Sequence, residues 1–327
     1  MKKVAVLGAG GIGGWLAGAL AEVGVDVSVV ARGATLTAIR ERGLRLTRDG
    51  KETTYRLAAG SSTELGAQDL VIIATKGQDV TRALPDIAPL LHAKTTVVSA
   101  LNGLPWWFTQ RFPGPLNNVV LESVDPGGAV AAAIAPERAV GCVVHASAAQ
   151  TAPGCIRIAK LDTLFFGEPD GHISQRVQWL ADTFARSGVK TVASTNIRLE
   201  TWAKLWGNMN MNPLGALSRS TTVAMLDDPD VNKLCLYMME EMAEAGKCIG
   251  LPFAMSAAER MVVTRKLGAI RPSMLNDLDN GAALEWAPQI GAVVEVAQRA
   301  GVPAPFCESV LGLTRLLSNA VEAARKH

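Results

Sequence analysis

The hexapeptide Gly8-Ala9-Gly10-Gly11-Ile12-Gly13 constrains this chain more than any other stretch of it. It follows "KKVAVL", which is short, apolar and β-branched, and it leads into "GWLAGALAEVG", whose apolar residues recur at helical spacing. "VDVSVVAR" then reads as a second strand. Between a strand and a helix the G-x-G-x-x-G spacing has a physical meaning. The first glycine permits a tight turn, the second lets a pyrophosphate approach the backbone, and the third lets helix and strand pack closely. The diphosphate would rest on the free N–H groups at the helix N-terminus. The same stretch has two lysines, an apolar run and the small residues Ala19 and Ala21, the outline of a secretory signal. Its many glycines are poor material for a helical signal core, whereas dinucleotide binding accounts for their spacing.

The end of the second strand selects the dinucleotide. NAD-binding chains usually carry an acid there for the ribose 2′-hydroxyl. This chain has Arg32, whose guanidinium suits a 2′-phosphate, so NADP(H) is the expected cofactor. Two further apolar strands, "DLVIIATKGQDV" and "TTVVSALNGLP", end in Lys76 and Gln78 and in Asn102 and Gly103. Ligands of open parallel sheets sit beyond the carboxyl ends of the strands. Both endings therefore point toward the nicotinamide side, although Asn-Gly is also an ordinary turn.

Composition removes other classes. With 49% hydrophobic and 19% charged residues over 327 positions, the chain is globular and long enough for two domains. A net charge of +2 with no Lys/Arg run offers no nucleic-acid footprint. No stretch reaches the roughly 18 apolar residues of a membrane span. Five scattered cysteines without a C-x-x-C fit a reducing cytoplasm and no metal site. Residues 112–170, rich in Gly, Pro and β-branched types, read as short antiparallel strands, and the text is helical from about 172. The expected fold is an α/β Rossmann-type domain, with a parallel sheet and added antiparallel strands, over 1–194. An all-α domain over 195–327 follows it.

Within the helical part, "TWAKLWGNMNMNPLGAL" spaces Lys204, Asn208 and Asn212 four apart among Trp, Leu and Met. Each step of four advances about 40° past a full turn, so the three polar groups share one stripe. Reducing a ketone leaves negative charge on oxygen, and a proton donor must lie within hydrogen-bond reach of it. A lysine on an apolar helix has its charged form disfavoured and gives its proton up more readily. The asparagines can aim it without adding charge. A lysine that merely snorkels to water is the competing explanation.

Taken in order, "VLGAGGIG", Arg32, "ATKGQD", Asn102-Gly103, "NIRLETWAKLWGNMNMNPLGAL" and "RPSMLNDLDNGAALEW" resemble ketopantoate reductases (2-dehydropantoate 2-reductases), within the 6-phosphogluconate dehydrogenase-like group. The resemblance implies that Lys204 is the general acid and that Asn208 and Asn212 hold substrate and lysine. It implies that Ser273 bonds the substrate carboxylate and Glu285 its hydroxyl group. Asn102 would lie near nicotinamide and substrate, Lys76 near the cofactor, and Asp277 in structural support. If ketopantoate is the substrate, the step belongs to pantothenate and coenzyme A biosynthesis. A homodimer is the expected assembly. The chain departs from the pattern after Glu285: Ala287 and Ile290 replace an acid and an asparagine. Trp106 and Trp107, just after Asn-Gly, are expected to wall the acyl pocket. Two other readings stay open, a D-2-hydroxyacid dehydrogenase on the same fold and a non-catalytic NADP(H)-binding sensor.

Overall fold

The computed structural model describes residues 3–325. The chain forms two compact units, Met1–Leu101 with Gly128–Glu200 and Asn102–Gly127 with Thr201–His327. This differs from the expected division at 194/195 in two places. The segment after the Asn-Gly pair goes with the helices, and the first unit runs on to residue 200.

Among the described residues the first unit is built on ten strands: β1 (Val4–Leu7), β2 (Val27–Val30), β3 (Leu44–Arg48), β4 (Lys51–Tyr55), β5 (Ala58–Gly60), β6 (Leu70–Ile73), β7 (Thr96–Ser99), β8 (Ala139–Ala152), β9 (Cys155–Gly167) and β10 (Lys190–Ala193). They join in one sheet of order β4-β3-β9-β8-β7-β6-β1-β2-β5, with β10 beside β9. Val4 of β1 lies opposite Val27 of β2 and Leu70 of β6, both in parallel. Every residue of β1, β2, β6 and β7 is buried. Strands covered on both faces read as continuous apolar runs, which is why these were legible. The two antiparallel pairs are β3–β4 and β8–β9. Instead of several short strands over 112–170, the chain makes one long hairpin, with strands of 14 and 13 residues. The stretch before it contributes turns and short helical pieces. The first strand alternates once it leaves the core, from six buried residues to an exposed end, so composition marked the region but not its length.

Helices α1 (Gly11–Glu22), α2 (Gly33–Arg42) and α3 (Gln175–Arg186) belong to this unit. Trp15, Leu16 and Leu20 of α1 are buried in the sheet core, each contributing about 1.5–3 kcal/mol. Ser174 caps α3 by accepting from the Val177 N–H at 3.2 Å, and Phe184 stacks on Phe166 of β9 with centroids 5.4 Å apart.

Six longer helices shape the rest: α4 (Ile197–Ser218), α5 (Pro229–Cys248), α6 (Ala257–Arg265), α7 (Ser273–Asp279), α8 (Ala292–Arg299) and α9 (Pro305–Ala324). Tryptophans of α4 anchor the second unit. Trp206 stacks on Phe253 at 3.8 Å and donates its indole N–H to the Met239 carbonyl of α5 at 2.9 Å. Trp202 stacks on Phe108, at 6.2 Å, which is how residues 102–127 join this unit. Among the described residues, no helix is long and apolar enough to cross a membrane.

Candidate active site

The glycine turn forms a groove in the first unit as its spacing predicts. Gly8, at φ +104°, occupies the left-handed region that favours glycine. Gly10 is the N-cap of α1, and Gly14 makes the first intrahelical bond to its carbonyl at 2.8 Å. The N–H groups of the first turn are therefore left without helix partners. A side chain on Gly13 would run into the Gly8 carbonyl, whereas one on Gly10 would meet no protein atom within 4 Å. Gly13 thus serves packing, and Gly10 keeps an approach to the backbone open. Gly8, Ala9 and Gly10 line a cavity of about 500 Å³ together with Arg32, Thr35, Thr75 and Gln150. Thr75 Oγ1 is buried there without a hydrogen-bond partner. An orphaned hydroxyl beside a glycine turn and a helix N-terminus fits the ribose–pyrophosphate part of a dinucleotide.

Arg32 stands at the N-cap of α2 and lines this groove, paired with Asp86. Its side chain is 77% exposed, so the pair contributes only about 0–1 kcal/mol. A 2′-phosphate can compete for the guanidinium at that cost. Gly11, Ile12 and Gly13 lie behind the groove in the first turn of α1. Lys76 follows Thr75 and precedes a short 3₁₀ turn (Gly77–Asp79), outside the groove lining. Asn102, expected near nicotinamide as well as substrate, lies in the second unit.

There the structure gathers residues far apart in sequence. Lys204 Nζ donates to Asn102 Oδ1 at 2.8 Å, and Asn102 Nδ2 faces Glu285 Oε2 at 3.4 Å. Glu285 is 6% exposed, a carboxylate taken largely out of water. Gln289 Nε2 faces the same carboxylate oxygen at 3.4 Å, and Asn212 Nδ2 donates to Gln289 Oε1 at 2.7 Å. Ser273, the first residue of α7, donates to Asn212 Oδ1 at 3.3 Å. A continuous chain results: Lys204, Asn102, Glu285, Gln289, Asn212, Ser273. Such a network fixes side-chain directions while leaving a cation at one end and a hydroxyl at the other. Asn208, half-buried one turn after Lys204, makes no side-chain hydrogen bond among the described residues. Its amide remains available to a ligand.

Gln289 was not foreseen. It is 1% exposed and sits in a π-turn (Ala287–Gly291), where the Gly291 N–H reaches the Trp286 carbonyl at 3.0 Å. The extra residue in that turn shifts the helical phase and brings Gln289 inward. A lone glutamine in "APQIGAVV" was the available signal. The same turn carries the two departures noted after Glu285. It is tied to the Asn102 loop by the Leu104 N–H, which donates to the Pro288 carbonyl at 2.8 Å.

Trp106 and Trp107 correct another expectation. They are 5% and 1% exposed, and they pack in the interior of the second unit rather than walling a pocket. Asp277 lies one turn after Ser273 on α7. No cluster of His, Cys, Asp and Glu suited to a metal occurs among the described residues.

Comparisons with known proteins agree with one another. Residues 4–106 match the family described as ketopantoate reductase PanE/ApbA, and residues 196–318 match its C-terminal part. A 2-dehydropantoate 2-reductase of Mesorhizobium japonicum is 41% identical, with 97% of this chain and 98% of that protein covered. A Ralstonia solanacearum MolK2 protein classed as a ketopantoate reductase has a TM-score of 0.93 at 41% identity, covering 98% and 99% of the two chains. A D-mandelate dehydrogenase, solved with NADH and anilino(oxo)acetate, shares the fold with a TM-score of 0.84 at 20% identity, covering 98% and 99%.

Proposed function

This chain belongs to the ketopantoate reductase PanE/ApbA family of oxidoreductases, and on that premise we propose that it reduces a small 2-keto acid to the 2-hydroxy acid with NADPH. Ketopantoate is the first candidate, and its reduction would serve pantothenate and coenzyme A biosynthesis. The observation that carries the reading is the Lys204–Asn102–Glu285 chain, a proton donor held at 2.8 Å by an amide that also faces a buried carboxylate. A cofactor-binding sensor has no use for that arrangement.

In this reading Gly8, Ala9, Gly10, Gly11, Ile12 and Gly13 hold the dinucleotide, Arg32 its 2′-phosphate, and Lys76 approaches it. When bound, NADPH supplies the hydride that reaches the carbonyl carbon. Lys204 donates a proton to the carbonyl oxygen as charge builds there. Asn102 aims the ammonium, and Asn208 and Asn212 hold substrate along the same helix face. Ser273 bonds the carboxylate end, and Glu285 accepts from the product hydroxyl group. The protein is proposed to act as a homodimer.

The test is purified protein with NADPH and a panel of 2-keto acids, followed at the nicotinamide absorbance. Turnover of ketopantoate above bulky aryl 2-keto acids is expected. Preference for the bulky acids with NADH would assign a D-2-hydroxyacid dehydrogenase instead. Cofactor binding without turnover of any 2-keto acid would leave only the sensor reading.

A further inference from the structure

Arg260, in α6, is a half-buried cation that pairs with no acid among the described residues. Its guanidinium bonds Thr264 Oγ1 at 3.2 Å, and no ion pair to it occurs among the described residues. Burial pulls its pKa below the usual arginine range, with no neighbouring charge to oppose the shift. Arg176 of the first unit shows the structural alternative, since Glu168, itself 3% exposed, meets its guanidinium at 2.6 Å. Desolvating a guanidinium without a counter-ion is costly, and an acid that meets it offsets part of that cost.

Arg260 is set against the helix that carries Lys204. Its Nη2 lies against Gly207 of α4, where an added Cβ would stand 2.8 Å from it. Glycine inside a long helix weakens it relative to alanine. Here the space left by the absent side chain is filled by the arginine head. Gly207 comes three residues after Lys204 and immediately before Asn208, whose side chain makes no hydrogen bond among the described residues. The guanidinium therefore reaches the helix that carries Lys204, on the turn that follows it.

We propose that Arg260 is the counter-charge that holds the carboxylate of the 2-keto acid. The proposal rests on the reduction assigned above. Ser273 and Asn208 are neutral and can orient a carboxylate, but neither offsets its charge as it leaves water. A planar guanidinium does so and can bond both oxygens. Lys204 then serves the keto oxygen, so two cations divide the two ends of the 2-keto acid group.

Initial rates decide it. Wild type, Arg260→Gln, Arg260→Lys and Gly207→Ala are compared with NADPH on a 2-keto acid, its primary amide and a 2-keto dicarboxylate. Arg260→Gln should raise KM for the acid about tenfold to a hundredfold, the loss of one charged hydrogen bond. Its kcat should stay within a few-fold, and the amide should be unaffected. Added guanidinium ion should restore part of the loss, and Arg260→Lys should be intermediate. Gly207→Ala favours the helix, preserves folding and pushes the guanidinium aside, so KM for the acid should rise there too. An unchanged KM in Arg260→Gln, or equal losses on acid and amide, would overturn the proposal. So would a loss confined to the dicarboxylate, which would place the arginine at the acyl end. Inactivity of the wild type on every 2-keto acid sinks the functional reading itself, whereas wild-type activity with these negative results sinks only this inference.

Discussion

The glycine groove and the polar chain of the second unit are built in opposite ways. The groove is made of backbone from consecutive residues, and what matters there is where side chains are missing. The polar chain is made of side chains from positions 102, 204, 212, 273, 285 and 289, joined by hydrogen bonds across a helical unit. A local backbone site tolerates change in everything except shape. A non-local side-chain site depends on each chemical group and on the packing that brings the groups together. The two should therefore fail differently when altered.

The largest effect is expected at Lys204, the proposed proton donor. Lys204→Ala should lower kcat about 10²- to 10⁴-fold, while NADPH affinity and melting temperature stay near wild type. Because the interaction belongs to the transition state, kcat should fall more than KM rises. Near-normal kcat would reduce the Lys204 stripe to ordinary helix packing.

The groove predicts a pair of unequal glycine variants. Gly13→Ala drives a side chain into the Gly8 carbonyl and should destabilise the fold by about 1–3 kcal/mol, read by denaturant unfolding. Gly10→Ala meets no protein atom within 4 Å, so it should spare stability and weaken only NADPH binding. Equal stability losses in the two would show that the turn is structural and the division of labour assigned to its glycines is mistaken.

A side chain placed on the backbone site should show the intermediate case. Arg32→Ala should weaken NADPH about 10- to 100-fold and leave NADH alone, since a charged hydrogen bond is worth about 1.5–3 kcal/mol. Asp86→Asn frees the same guanidinium and should strengthen NADPH by no more than about fivefold, as befits an exposed pair. Titration by fluorescence or calorimetry reads both. Wild-type protein that binds the two dinucleotides equally would remove Arg32 from cofactor choice.

The smallest effect tests a purely local motif. Ser61 and Glu64 form a capping box, with the Ser61 N–H donating to Glu64 at 2.6 Å. The bonds from Ser61 and then Arg40 lower the Glu64 pKa to about 2. A depressed carboxylate contributes stability above its ordinary value near 4.5, and that stability is lost as pH falls toward about 2. Glu64→Gln should flatten the acid side of the melting-temperature profile slightly and change neither kcat nor NADPH binding. A catalytic effect would mean that the first unit transmits local changes to the chemistry.

The sequence by itself determined the Rossmann turn, the buried parallel strands, Arg32 and the stripe of Lys204, Asn208 and Asn212. Each of these is a local pattern, set by hydrophobic periodicity or by a backbone shape only glycine adopts. The resemblance then supplied Ser273 and Glu285, which no period or spacing marks, and gave Asn102, already placed by the end of its strand, a part near the substrate. Only the tertiary structure joined Asn102 to Lys204 and Glu285, because hydrogen bonds across 102 and 183 positions leave no trace in either segment alone. It also moved Trp107 from a pocket wall to the core, brought Gln289 inward on a π-turn, and set Arg260 against Gly207. Apolar character says that a tryptophan will be buried but not against what, and a glutamine's burial depends on one extra residue of helical phase. Those outcomes belong to packing, where a side chain's neighbours come from distant parts of the chain and decide its role.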